Sequence, residues 1–155
     1  MRQKFARRSI LGFGLGGAGA ALLGLTSRSQ AATTTFTATL NATSEVPPNQ
    51  SPATGTATVI LDTTTNKITW SGTFSGLTGP ATAAHIHGPA PVGKNAGVIL
   101  WISTKGSAFN SPFQGSADQA LTADQVADLV AGNYYVNIHT AANPGGEVRG
   151  QLVKA

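Results

Sequence analysis

The sequence predicts an all-β domain, an antiparallel Greek-key sandwich or barrel with one short helix, behind an export signal. Three observations carry this. Past residue 31, short runs rich in Thr, Val and Ile alternate between apolar and polar positions, the pattern of half-buried strands. Gly, Pro, Asn and Asp punctuate these runs at short intervals, as turns require. Only one stretch has helical periodicity, which argues against a βαβ architecture. With 155 residues and no cysteine, the chain has room for one domain and for neither a disulfide nor a thiolate metal site.

Residues 1–31 form the predicted export signal. Met1 to Ser9 is a cationic head, Ile10 to Leu25 an uncharged stretch of sixteen residues, and Ser29-Gln30-Ala31 a small-residue cleavage site. Arg7-Arg8 followed by Ser9-Ile10-Leu11 resembles the twin-arginine signal. The apolar stretch falls short of the roughly 20 residues of a spanning helix and is diluted by glycine, so no stable membrane anchor is expected after cleavage. The destination is periplasmic, cell-envelope or extracellular. Gly12 to Gly17 satisfies G-x-G-x-x-G, but without a preceding strand or a following acidic residue it is no nucleotide site.

Charge supports the same division. The formal net charge is +4, yet five of the ten basic residues lie in the first 31 positions, where there is no acid. Residues 32–155 hold five basic against six acidic residues, a net −1. That balance excludes nucleic acid as a partner on electrostatic grounds.

In chain order, strands are expected over the run in which Phe36, Ala38 and Leu40 alternate with Thr35, Thr37, Thr39 and Asn41, then at Thr56 to Leu61 and Lys67 to Phe74. The last two flank a hairpin loop at Asp62 to Asn66. Others follow at Thr82 to His87, Gly97 to Ile102, Ala108 to Ser116, Asn133 to Thr140 and Glu147 to Val153, about eight in all. Leu121 to Ala131 is the helix. Thr122 and Gln125 form a capping box, Leu121, Val126, Leu129 and Val130 share a face, and Gly132 stops it.

All three histidines lie beyond the export signal. His85 and His87 are two apart on a strand, so they point the same way, about 6.5 to 7 Å apart at the backbone. Both imidazoles reach one ion at about 2.0–2.1 Å. His139, on the Tyr135-x-Asn137-x-His139 strand, is the third ligand if the two strands neighbour each other across the sandwich. The alternative is that these rings only pack loops and tie down the Gly88-Pro89 turn. If an ion is bound, imidazoles without cysteine favour copper or zinc over magnesium or calcium, and copper over zinc at equal availability. Glu147 and Arg149, two apart on the last strand, either pair with each other or, with Asn137, stand beside the histidines as outer-shell or anion-contacting groups. Trp70, Trp101, Phe74, Phe109 and Phe113 serve the core or a stacking shelf. No G-x-S-x-G elbow and no closely spaced carboxylate pair points to a hydrolase.

Ala84-His85-Ile86-His87-Gly88-Pro89 and the run Tyr135 to Leu152, with Phe36 to Asn41, Glu45-Val46-Pro47-Pro48 and the Leu121-Thr122-x-x-Gln125-Val126 helix, resemble the CHRD domain. That module is repeated in the developmental regulator chordin and occurs as single-domain exported bacterial proteins. The resemblance covers Phe36 to Leu152 and assigns residues 32–155 to one CHRD domain. It implies an immunoglobulin-like β-barrel distantly similar to copper-zinc superoxide dismutases. His85, His87 and His139 resemble three copper ligands of those enzymes in order, while the bridging histidine, the zinc ligands and the disulfide have no counterpart. Glu147, rather than Arg149, aligns with the substrate-guiding arginine, and a carboxylate there repels superoxide.

Two functions follow. The first is a non-enzymatic exported binding or envelope-associated module, for a protein or small ligand, with one copper or zinc ion on the three histidines. The second is a copper-dependent, dismutase-like redox enzyme in which Arg149 draws in the anion.

Overall fold

The computed structural model describes residues 32–104 and 107–155; the predicted export signal lies outside them. Nine strands are described: β1 (Thr33–Asn41), β2 (Thr54–Asp62), β3 (Lys67–Ser75), β4 (Ala81–His87), β5 (Val98–Trp101), β6 (Phe113–Ser116), β7 (Tyr135–Thr140), β8 (Val148–Gln151) and β9 (Val153–Lys154). One helix, α1 (Ala123–Val130), interrupts them. The strands form one antiparallel sheet in the order β5-β4-β7-β8-β1-β2-β3-β6, with β9 also on β1. The sheet curls into a half-barrel. A single bridge from Ala81 to Phe109 draws its margins toward each other. No described helix is long and apolar enough to cross a membrane.

Alternation builds the inside. Phe36, Ala38 and Leu40 on β1, Ala57, Val59 and Leu61 on β2, and Ile68 and Trp70 on β3 are buried, while most of the residues between them are exposed. On the other half Ala84, Ile86, Val136, Ile138 and Val148 join the same core. Phe74, Phe109 and Phe113 cluster near the bridge, with ring centroids 5.1–6.2 Å apart. Leu121 and Leu129 seat α1 on the core, and its capping box is formed: Thr122 Oγ1 accepts from Gln125 N and Gln125 Oε1 from Thr122 N. Gly132, at φ +75, ends it.

Three element expectations are corrected. The final strand is divided at Leu152, giving nine strands; both parts keep one register on β1 (Asn41↔Arg149, Thr37↔Val153), so the division is a gap in the ladder and the chain runs on. The strand expected from Ala108 begins only at Phe113, because Ser111 and Pro112 bend the chain and proline has no N–H for the ladder. Val130 is half exposed and does not share the buried face of α1.

Candidate metal centre

β4 and β7 are hydrogen-bonded neighbours, in a register that sets His85 opposite Asn137, His87 opposite Tyr135 and Ala83 opposite His139. Side chains alternate along a strand, so His85, His87 and His139 share one face of the sheet, opposite the apolar core. The third histidine therefore arrives from the adjacent strand of the same sheet, not from across a sandwich. Ring centroids are 4.9 Å apart for His85–His139, 5.3 Å for His85–His87 and 6.2 Å for His87–His139. One nitrogen of each lies within 4.8 Å of the others.

Hydrogen bonds decide what each ring offers. His139 Nδ1 is 2.9 Å from the Pro144 carbonyl, and His87 Nδ1 is 3.1 Å from the Ala96 carbonyl. A carbonyl only accepts, so both Nδ1 atoms carry hydrogen and both Nε2 atoms carry lone pairs. His139 Nε2 lies 3.0 Å from His85 Nδ1. His87 Nε2 and His85 Nε2 are buried without a hydrogen-bond partner. Leaving buried polar atoms unmatched is costly; an ion held on His87 Nε2, His139 Nε2 and His85 Nδ1 would supply the interaction that His87 Nε2 lacks, and His85 Nε2 would stay without one. With metal–nitrogen bonds of about 2.0–2.1 Å, the His85–His139 separation of 3.0 Å subtends about 95° at an ion. The residues thus fit an imidazole-bound metal.

The rings are in the form that binds metal. Burial, then His139 and His87, pushes His85 down to about 4. Burial also holds His87 and His139 below the ordinary histidine value. All three are neutral at pH 7, as ligands must be. Trp101, opposite His85 on β5, meets that imidazole at 4.1 Å in a T-shaped contact. Tyr135 stacks parallel on His87 at 4.9 Å. Sequence reasoning reaches Trp101 only as a core or shelf residue and gives Tyr135 no role.

The three flanking residues have separate places. Asn137 donates from Nδ2 to both oxygens of Glu45 at 3.0 Å. Arg149, opposite Asn137 on β8, is buried; its guanidinium donates to the Lys94 carbonyl at 2.7 Å and Asn95 Oδ1 at 3.0 Å, and lies 3.4 Å above the Tyr135 ring. Glu147 accepts from Ser51 Oγ, Thr78 N, Thr78 Oγ1 and Thr140 Oγ1. The expected Glu147–Arg149 pair is therefore not formed: each group is taken up by a different set of loops. With 1 % of its surface exposed, Arg149 presents no face to a passing anion.

Glu45 is the residue sequence reasoning missed. Burial pushes it up to about 7, against the pull of Arg149 and the Asn137 hydrogen bond. Gly146, at φ +135, leaves the space: a Cβ there would lie 2.3 Å from Asn137 Nδ2 and 2.6 Å from Glu45 Oε1. A signal existed, since Glu45 is the sole acidic residue between positions 32 and 61.

Across this domain the family profile of the CHRD domain matches residues 36–152, three-quarters of the chain and every strand that bears the site. The chain belongs to the CHRD domain family. No curated protein and no solved structure shows significant similarity to it. Within this CHRD domain the three histidines stand on the two strands that the matched segments Ala84 to Pro89 and Tyr135 to Leu152 supply.

Proposed function

We propose that this CHRD domain is an exported, non-enzymatic binding module that holds one copper or zinc ion on His85, His87 and His139. The observation that carries the reading is the convergence of three neutral imidazoles whose remaining nitrogens are tied to carbonyls or left buried without partners. His87 and His139 would donate from Nε2 and His85 from Nδ1. The ion would supply a fixed positive centre that joins β4 to β7 at the loop-covered face. Export rests on the cationic head, apolar stretch and small-residue site of residues 1–31. The redox-enzyme alternative needs an anion guide, and Arg149 is spent on Lys94, Asn95 and Tyr135.

Titration calorimetry with Cu(II) and Zn(II) at pH 7.5 tests the reading. One equivalent should bind, and His139→Ala should weaken it by more than the roughly 10–100-fold that loss of an outer-shell partner costs. No uptake of either ion by the folded domain would overturn it. Tracking a tagged full-length chain by cell fractionation tests export: retention of the uncleaved chain in the cytoplasm would contradict it.

A further inference from the structure

His87 owes its orientation to a segment that has no regular structure of its own. Residues 88–97 cross the polar face of the sheet between β4 and β5. Two side chains from other parts of the domain, Arg149 and Tyr135, and the segment's own Asn95 hold the end of that crossing. Arg149 donates to the Lys94 carbonyl and to Asn95 Oδ1 at 2.7 and 3.0 Å. Asn95 in turn donates from Nδ2 to the Val46 carbonyl at 2.9 Å. The Tyr135 hydroxyl accepts from Ala96 N at 3.1 Å and donates to the Ala96 carbonyl at 3.3 Å. That same carbonyl receives His87 Nδ1–H. The Arg149 guanidinium, the Tyr135 ring and the His87 ring form a stack, with Arg149 3.4 Å from the Tyr135 centroid and the Tyr135 and His87 planes within 3° of parallel.

We infer that Arg149 is a positioning residue. Its buried guanidinium fixes residues 94–96, so that the Ala96 carbonyl takes the Nδ1 hydrogen of His87 and Nε2 is turned to the metal. The inference rests on the metal-binding reading, and it adds a device to it: a planar fork is needed. Two separate guanidinium nitrogens serve Asn95 Oδ1 and the Lys94 carbonyl while the plane lies on Tyr135; the three N–H donors of a lysine ammonium radiate from one nitrogen and present no flat face, so lysine is not a substitute. A group that holds the hydrogen-bond partner of a ligating imidazole sets both its tautomer and its angle.

The experiment uses the mature domain in three forms, wild type, Arg149→Lys and Asn95→Ala. The last removes an exposed side chain and so spares the core. In the metal-free protein, nitrogen-15 NMR of the histidine rings should show a slowly exchanging His87 Nδ1–H in the wild type. Arg149→Lys should lose it to fast exchange and mixed tautomers, and Asn95→Ala should weaken its protection. Cu(II) affinity should fall about 10-fold or more in Arg149→Lys, with a changed electron paramagnetic resonance spectrum. An unchanged His87 ring in folded Arg149→Lys and Asn95→Ala overturns the inference, whatever the metal does. A wild type that shows the protected Nδ1–H but takes up no copper or zinc supports the clamp and removes the metal reading, so the two failures are distinct.

Discussion

One sheet carries two outer faces that differ in almost every respect. Over β1, β2 and β3 the outer face is mostly threonine and serine, with Ile60, Asp62 and Lys67 among them; it is largely open to solvent, and its polar contacts are local, such as Thr56 Oγ1 to Thr73 Oγ1 at 3.2 Å. Over β4, β7 and β8 the equivalent face carries His85, His87, Tyr135, Asn137, His139 and Arg149, and β7 is buried on both sides apart from a partly exposed His139. The difference is made by loops. Residues 42–53, 88–97 and 141–147 fold over the second face, bound by Glu45, Glu147 and Arg149. Burying polar groups is expensive unless each is matched. The covered face is accordingly dense in side-chain hydrogen bonds, and its unmatched atoms include two histidine nitrogens. The bare face is scaffold, and the covered one is where a ligand has something to supply.

Four substitutions and one pH series test this contrast, in order of decreasing effect. Phe36→Ala, on the inner face both halves share, should destabilise the domain by about 3–5 kcal/mol in urea unfolding. A loss under 1 kcal/mol would mean the half-barrel interior is not the common core. Glu147→Ala should cost about 3 kcal/mol, because it strands the Ser51, Thr78 and Thr140 donors beneath the covering loops. A midpoint unchanged from wild type would show that the loops do not depend on that carboxylate.

The two buried glutamates sharpen the comparison further. Burial raises Glu147, but the hydrogen bonds from Ser51, Thr140 and Thr78 outweigh it and hold the group at about 2. Glu45 has fewer donors, burial wins, and it sits at about 7. A folded-state value above the ordinary 4.5 means the native state binds the extra proton. The stability from Glu45 is therefore full below pH 4.5 and lost as pH rises through 7. Glu45→Gln should match wild type at pH 4.5 and exceed it in thermal midpoint at pH 8; equal midpoints at both would contradict the assignment. The histidines act in the opposite sense. With His85 at about 4 against an ordinary 6.5, the unfolded chain binds more protons between those values, so stability drains as pH falls through that window. Because burial lowers all three ligands, metal uptake should persist to lower pH than at a site of unperturbed histidines. The smallest effect belongs to the bare face: Thr58→Ala should shift stability by less than about 0.5 kcal/mol, and a larger loss would show that face is not bare.

Much of this was legible in the chain, because the relevant signals are local. Alternation with period two gives the strands, Thr122 and Gln125 give the helix start, and His85-x-His87 fixes two ligands on one face. What pairs β4 with β7 is not local: His139 lies 54 residues beyond His85, and only sheet order brings them to 3.0 Å. Loop coverage is less legible still. Nothing in the spacing of Glu147 and Arg149 says that one turns to Ser51 and Thr78 and the other to Lys94 and Asn95, and a pair two apart reads as an ion pair until the loops are placed. Glu45 escapes for the same reason, since its role belongs to the cover, and Tyr135 escapes because its place against His87 is set by the non-local register of β4 on β7.

The three-histidine site is probed by adding one equivalent of Cu(II) to residues 32–155 and recording the electron paramagnetic resonance spectrum beside that of His139→Ala. The wild type should give a single bound species with nitrogen couplings from three imidazoles, and the variant fewer. Identical spectra from the two proteins, or the signal of unbound copper in both, would contradict binding at these histidines.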